Sequence, residues 1–315
     1  MTSVYLSSLE FPKEASAVAV GAFDGFHAGH QRIIQELAVR GRRSSLATVI
    51  YTFRRNPKLT TRGIQGLLST NAERVDYANR AGVDAIVLED FSARYQGMSP
   101  QEFVADILLR RLNAKIVVVG QDFRFGRGRS GDISVMEAGL REAGCRLVVV
   151  APVLVDGEKC SSSAIRAAVL AGDVQHACRL LGRPYSIEGV IVTGNRIGGR
   201  LGFPTANVEV PDPVKLLPGN GVYAVRASID GQEVNGVCNI GVRPTMVAAS
   251  RRTVEVHLLD FRRQVYGHLA SVQFVARIRD EVRFGSPAAL VKQIQHDIGA
   301  ARDLLGPRTG GTMGS

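Results

Sequence analysis

Between residues 17 and 151, short apolar β-branched runs alternate with stretches of helical period. Val18-Ala19-Val20 is followed by residues 31–40, where Ile33, Ile34 and Leu37 share one face, and then by the apolar run 48–53. The spacing predicts strand, helix, strand. The alternation continues through a strand over 85–88, a helix over 100–111 and strands over 115–120 and 146–151. Strands that are apolar without interruption, set between helices, imply a parallel sheet covered on both faces, so the expected fold is a doubly wound α/β domain.

After Leu181-Gly182-Arg183-Pro184 the texture changes. Segments with period-two alternation lie between Gly, Asn and Asp turns, with strands expected over 188–193, 221–229, 232–239, 253–259 and 271–278. Five or six strands at this spacing predict a small antiparallel β-barrel. A last helix is expected from Ser286, with Pro287 at its first position and Leu290, Ile294, Ala301 and Leu305 at helical intervals. The expected division is therefore an α/β domain over 1–184, a barrel with its helix over 185–306, and a disordered Gly- and Thr-rich tail over 307–315. A length of 315 residues agrees with two cores rather than one.

Composition narrows the class. With 45% hydrophobic and 22% charged residues the chain is a globular protein, neither disordered nor a coiled coil. A net charge of +10 fits nucleic acid, an anionic membrane or phosphate-bearing small molecules. The arginines are scattered, and zinc-finger spacings and RNA-type aromatic platforms are missing, so small polyphosphate ligands are favoured and neither nucleic acid nor a membrane is an expected partner. Cys145, Cys160, Cys178 and Cys238 form no C-x-x-C pair and suit a reducing compartment. No basic segment leads into an apolar run, and no stretch nears the roughly 20 apolar residues of a membrane span. A cytoplasmic monomer or weak homo-oligomer is the expectation.

Two constellations carry chemistry. In the first, Gly21-Ala22-Phe23-Asp24-Gly25-Phe26-His27-Ala28-Gly29-His30 lies where the first strand gives way to a helix, at the carboxyl edge where open α/β sheets bind ligands. Two imidazoles at a helix N-terminus can donate to a phosphate alongside the backbone amides. Gly29 lets a nucleotide come close to the main chain. Ser161-Ser162-Ser163-Ala164-Ile165-Arg166 sets hydroxyls and a guanidinium at another helix start, where serines alone would be ordinary caps.

These segments resemble the nucleotidyltransferases with an H-x-G-H signature, and specifically the adenylyltransferase module of prokaryotic bifunctional FAD synthetases. His27-Ala28-Gly29-His30 matches the signature, Gly120-Gln121-Asp122-Phe123-Arg124-Phe125-Gly126 is similar to the module's G-x-D-F-R-F-G, and Ser161 to Arg166 to its S-S-T-x-I-R. The resemblance implies that His27 and His30 stabilise the ATP α-phosphate while the FMN phosphate attacks. It implies that Arg166 and Ser163 hold the departing phosphates, and that Gly21, Phe23, Asp24, Gly25, Gly29, Asp122, Arg124 and Ser162 line the nucleotide site. Two positions depart from the family: Ala22 stands where G-N-F-D-G has Asn, and Asn56 where T-F-x-P-H-P has His. They leave open an alternative in which only the other half is active. Gly126 to Gly131 formally fits G-x-G-x-x-G but sits late in the domain among arginines, so it is not a dinucleotide fingerprint.

In the second constellation four glycines and two arginines over 194–202 precede Phe203-Pro204-Thr205-Ala206-Asn207. Thr205 and Asn207, extended, point to one side about 7 Å apart and offer hard oxygen ligands. In Val254-Glu255-Val256-His257-Leu258 the polar face holds Glu255, a candidate base for a hydroxyl. From about 186 to 305 the sequence resembles riboflavin kinase: Leu201 to Asn207 reproduces its signature, and Gly221 to Val225, Asn239 to Thr245 and Val254 to Phe261 follow in family order. The resemblance implies Mg²⁺ on Thr205 and Asn207, nucleotide binding by Gly194, Gly198, Arg200, Gly202 and Pro204, and Glu255 as the base for the ribityl hydroxyl. Riboflavin would lie between the barrel mouth and the last helix. The combined expectation is an enzyme that phosphorylates riboflavin with ATP and adenylylates the FMN it makes.

Overall fold

A computed structural model describes residues 1–12, 14–57, 59, 63–193, 202–243 and 251–306. The expected tail over 307–315 lies outside them. By contacts the chain divides into two compact units, Met1–Ser162 and Ser163–Ser315.

The first unit is built on β1 (Ser3–Tyr5), β2 (Ser16–Val20), β3 (Ala47–Phe53), β4 (Ala85–Glu89), β5 (Ala114–Gly120) and β6 (Arg146–Val150). They form one parallel six-stranded sheet in the order β1-β4-β3-β2-β5-β6. Every residue of β2 is buried, as a strand covered on both faces requires. Alternation sends Val18 and Val20 to one layer with Phe103, Ile107 and Leu108, and Ala17 and Ala19 to the other with Ile33, Ile34 and Leu37. The latter three are the inner stripe of α1 (Ala28–Arg43), and burying each contributes about 1.5–3 kcal/mol. Leu37→Ala would therefore be among the most damaging changes to this layer.

Helix α2 (Asn71–Arg80) opens with a reciprocal capping box between Thr70 and Glu73. Two short links follow, α3 (Ala93–Gly97) and the Ser99-capped turn α4 (Pro100–Glu102), which runs on into a wider winding over Phe103–Arg111. Helix α5 (Ile133–Glu142) precedes β6, and a small hairpin, β7 (Leu154–Val155) with β8 (Glu158–Lys159), follows it.

The second unit contains α6 (Ser162–Ala171, its first residue shared with the first unit), α7 (Val174–Leu181) and six strands: β9 (Tyr185–Val192), β10 (Ala206–Glu209), β11 (Gly221–Ile229), β12 (Gln232–Arg243), β13 (Arg251–Leu258) and β14 (Leu269–Arg279). They close into an antiparallel barrel in the order β10-β13-β12-β11-β14-β9. Tyr223, Phe274 and Cys238 are fully buried in its interior, with the two aromatic rings edge-on at 5.4 Å. The outward-facing Val222, Ala224 and Val237 instead pack against Ala301 and Leu305 of α8 (Pro287–Leu305), the last helix. Ser286 caps α8 and Pro287 occupies its first turn, as the sequence predicts.

Candidate functional sites

At the carboxyl end of β2 the chain makes a tight turn in which Phe23, Gly25 and Phe26 all have positive φ, at 44°, 88° and 45°. A left-handed Phe is strained, and both rings are buried, so packing holds the backbone where a free chain would not stay. His27 then caps α1 with extended backbone. Its imidazole stacks on His30 with centroids 3.7 Å apart, and Phe23 lies 5.2 Å from the His30 ring. Gly29 permits the fold-over: a Cβ there would lie 3.1 Å from His27 Cε1. The two histidines are thus brought together at the positive end of α1, where an anionic group is stabilised.

Asp24 is 2% exposed, and its Oδ1 accepts from the backbone N–H groups of Leu68 (2.8 Å) and Ser69 (3.1 Å). Ser69 Oγ accepts in turn from Gly25 N–H at 2.9 Å, and Ser162 Oγ donates to the Asp24 carbonyl at 3.0 Å. Asp24 therefore fastens the 67–69 segment and Ser162 to the turn. Cys160 sits against the same helix end, where burial pushes its thiol up and backbone hydrogen bonds from Gly29 and Ala28 pull it down, with a net rise. Asp122 and Arg124 are exposed beyond β5, the strand beside β2, and Asp122 pairs with Lys159. Ser163 and Arg166 belong to the second unit, Arg166 buried on α6.

Sequence reasoning missed Arg74, also 2% exposed. Its guanidinium donates to the carbonyls of Phe53 and Arg54, each at 2.8 Å, to Thr52 Oγ1 at 3.3 Å and to the Ala22 carbonyl at 3.5 Å, and it also engages Asn71. One side chain thereby ties the carboxyl ends of β2 and β3 together at the edge where the histidines stand. The available signal was a charge on the inner side of α2, one turn before Ala78. Of the two departures from the family pattern, Ala22 contributes its carbonyl to this clamp, and Asn56 is buried nearby in the chain beyond β3.

In the barrel, register assembles the second constellation. Asn207 of β10 stands opposite Glu255 of β13, which stands opposite Asn239 of β12, which stands opposite Val222 of β11. Side chains directly opposite share a face, with Cβ atoms about 4.5–5.5 Å apart. Glu255 is therefore flanked by two amides on the outward face that also carries α8. In the sequence Asn239 stands only within the 239–245 motif, and the register makes it a neighbour of Glu255. The row continues to Arg279 of β14, whose guanidinium grips Asp297 of α8 by Nε–Oδ1 at 2.9 Å and Nη2–Oδ2 at 2.8 Å. His257, on the same face as Glu255, meets the Pro204 carbonyl through Nδ1 at 2.8 Å, and Thr205 is the next residue. On the opposite face burial pushes the Cys238 thiol far up, with Glu255 adding to the rise, so Cys238 is an unreactive core residue.

Gly202 has a φ of 88°, and both it and Pro204 are exposed. Gly194, Gly198 and Arg200 lie outside the described residues. Among the described residues no three His, Cys, Asp or Glu side chains cluster as a metal cage. The Thr205 hydroxyl, the Asn207 amide oxygen and a neighbouring carboxylate are hard oxygen donors, which fit Mg²⁺ shared with phosphates rather than a soft metal.

The riboflavin kinase family model matches residues 181–305 and the FAD synthetase model matches residues 10–164. The chain is 36% identical over 298 residues to the bifunctional riboflavin kinase/FMN adenylyltransferase of Escherichia coli K12, covering 94% of each protein. The chain belongs to the bifunctional riboflavin kinase/FMN adenylyltransferase family. Members of this family from Pseudomonas fluorescens (37% identical, covering 94% of this chain and 95% of that one) and Bacillus subtilis (33%, covering 90% of each) agree along nearly the whole length. A crystal structure described as a macrolide-efflux protein from Streptococcus pneumoniae superimposes with a TM-score of 0.87 at 31% identity, covering 96% of this chain and 99% of that one. The FAD synthetase match contains the stacked histidines, Asp24, Arg74 and Ser162. The riboflavin kinase match contains Thr205, Asn207, Asn239, Glu255 and all of α8.

Proposed function

We propose that this chain phosphorylates riboflavin with ATP at the outward face of its barrel and adenylylates FMN with ATP at the β2–α1 turn, producing FAD and pyrophosphate. The carrying observation is the polar row Asn207–Glu255–Asn239, a carboxylate set between two amides beside the Pro204-Thr205 segment. We assign 1–184 to the adenylyltransferase and 185–306 to the kinase.

In the kinase half Glu255 accepts the proton of the ribityl 5′-hydroxyl as its oxygen attacks the γ-phosphorus and ADP leaves. In-line phosphoryl transfer needs positioning and charge neutralisation more than covalent help, and a site with one carboxylate and no nucleophile suits it. Mg²⁺ held by Thr205 and Asn207 would supply neutralisation of the phosphate oxygens. Asn239 orients Glu255 or the incoming alcohol from the other side. Asp297 keeps α8 against the row through its pairing with Arg279.

In the adenylyltransferase half the FMN phosphate attacks the α-phosphorus of ATP. His27 and His30 donate to the oxygens on which charge develops, helped by the α1 amides. Asp24 and Arg74 keep the turn in its strained form. Asp122 and Arg124, exposed on the neighbouring strand end, suit contact with the nucleotide.

Purified protein given riboflavin, ATP and Mg²⁺, with FMN and FAD resolved chromatographically, tests both halves. FAD accumulating behind FMN supports the proposal. FMN with no FAD, including when FMN is supplied, would leave the kinase alone, the reading that Ala22 and Asn56 favour. Among the described residues no helix is long and apolar enough to cross a membrane.

A further inference from the structure

We propose that His257 is a positioning residue of the kinase half: its Nδ1–H holds the Pro204 carbonyl and so sets the Thr205 hydroxyl beside Asn207 and Glu255. The proposal rests on the kinase reading of the barrel. A carbonyl oxygen only accepts, so at 2.8 Å the Nδ1 atom must carry the hydrogen, leaving Nε2 as the other face of the ring. The Phe203 ring meets the imidazole edge-on at 5.8 Å and fixes its plane.

The bond stands where ordinary strand pairing stops. The β10–β13 ladder runs through Asn207↔Glu255 and Ala206↔Val256, and one further antiparallel step would bring Thr205 opposite His257. Pro204, just beyond, has no N–H to extend the ladder and restrains Phe203 to extended conformations. The His257 side chain replaces the missing rung. Because the Pro204–Thr205 peptide is planar, anchoring its oxygen orients the nitrogen and Cα of Thr205 as one rigid unit. Thr205 is thereby stapled from one side through Pro204 and from the other by the Asn207–Glu255 pair. Two oxygen donors proposed to face one cation need this mutual placement, since small misplacements at a phosphoryl-transfer site are costly.

Side-chain isosteres test the claim. In the full-length protein Asn at 257 places its amide nitrogen where Nδ1 sits, whereas Gln places its nitrogen near the Nε2 position. FMN formation is measured at saturating riboflavin with varied Mg·ATP for His257→Asn, His257→Gln and His257→Ala, with FAD formation from supplied FMN as the control in the other half. The expected result is a rise of about three- to tenfold in KM for Mg·ATP in the Ala and Gln variants, the scale of one lost hydrogen bond, with kcat less affected. The Asn variant should stay within about twofold of the parent. Wild-type KM in the Ala variant, or rescue by Gln and not by Asn, overturns the proposal. Loss of kcat at unchanged KM in all three variants also overturns it and makes His257 a proton-transfer group. A parent protein that makes no FMN rejects the kinase reading itself.

Discussion

Removing the Asp24 carboxylate should disable FAD formation by releasing a loop, not by deleting a nucleotide contact. Asp24→Ala leaves the N–H groups of Leu68 and Ser69 without the Oδ1 atom that accepts from both, at a side chain 2% exposed. Hydrogen bonds to a charged group contribute about 1.5–3 kcal/mol each, so two give roughly 3–6 kcal/mol. Water reaching the freed amides recovers part of this, and about 3 kcal/mol is a reasonable expectation. For a unit of this size that lowers the melting temperature by roughly 6–12 °C. The assay pairs calorimetry of the full chain with initial rates of FMN and FAD formation. The first-unit transition should fall by this amount, FAD formation should drop at least tenfold, and FMN formation should hold. Asp24→Asn, which keeps an acceptor, should lie between. A variant with parental melting and a raised KM for ATP would refute the reasoning, because it would make Asp24 a ligand of the nucleotide.

Glu255→Gln should reduce FMN formation by 10²-fold or more, on the order of a lost general base, while FAD formation from supplied FMN continues; parental turnover would remove Glu255 from the chemistry. His30→Ala should show the reverse selectivity, and equal loss of both products would contradict two separate sites. Asp297→Asn removes a charge from the buried pair with Arg279, also approached by Gln293 Nε2 at 2.9 Å, and should cost about 3–5 kcal/mol in urea unfolding of the second unit; a change below about 1 kcal/mol would mean α8 is held without help from this pair. Asp106 is pushed up by burial but pulled further down by hydrogen bonds from Arg110 and Arg111, so its net shift is below the ordinary aspartate value. Its folded form is the stronger acid, so the stabilisation is complete above the ordinary aspartate value and fades as pH falls through the lower folded value. Asp106→Asn should therefore flatten the acid side of the first unit's stability curve, and superimposable parent and variant curves would exclude this role.

The elements that were legible are those whose burial is simple. Parallel strands covered on both faces show as unbroken apolar runs over 17–20 and 116–119, and α1 shows a clean apolar stripe. The signal failed where polar side chains face inward. Helix α2 buries Glu73 and Arg74 beside Ala78, because one closes its cap and the other clamps two strand ends, so its inner face does not look apolar. β1 is three residues long and largely exposed at the sheet edge. β10 has four residues and shows in the sequence only through the extended Thr205 and Asn207, although it closes the barrel. The histidine pair was legible from its motif, but the 3.7 Å stacking and the strained turn that enforces it were not.

The proposed location of the kinase chemistry, on the outer face, rests on the size of the barrel, which composition does not reveal. About eight strands are needed before a barrel interior does more than house its own side chains, and this barrel closes with six strands around Tyr223, Phe274 and Cys238. Such an interior is filled by its own side chains, so the polar side chains proposed to serve a ligand alternate onto the outer face. The Asp230-Gly231 hairpin, both residues at positive φ, pairs Ile229 with Gln232 and thereby brings Asn239 opposite Val222, next to the surface that α8 covers. A one-residue slip in that hairpin would turn Asn239 into the core and Cys238 out beside Glu255. Two consecutive left-handed residues at one turn thus decide whether the carboxylate meets an amide or a thiol, which is why the row cannot be read from the motif alone.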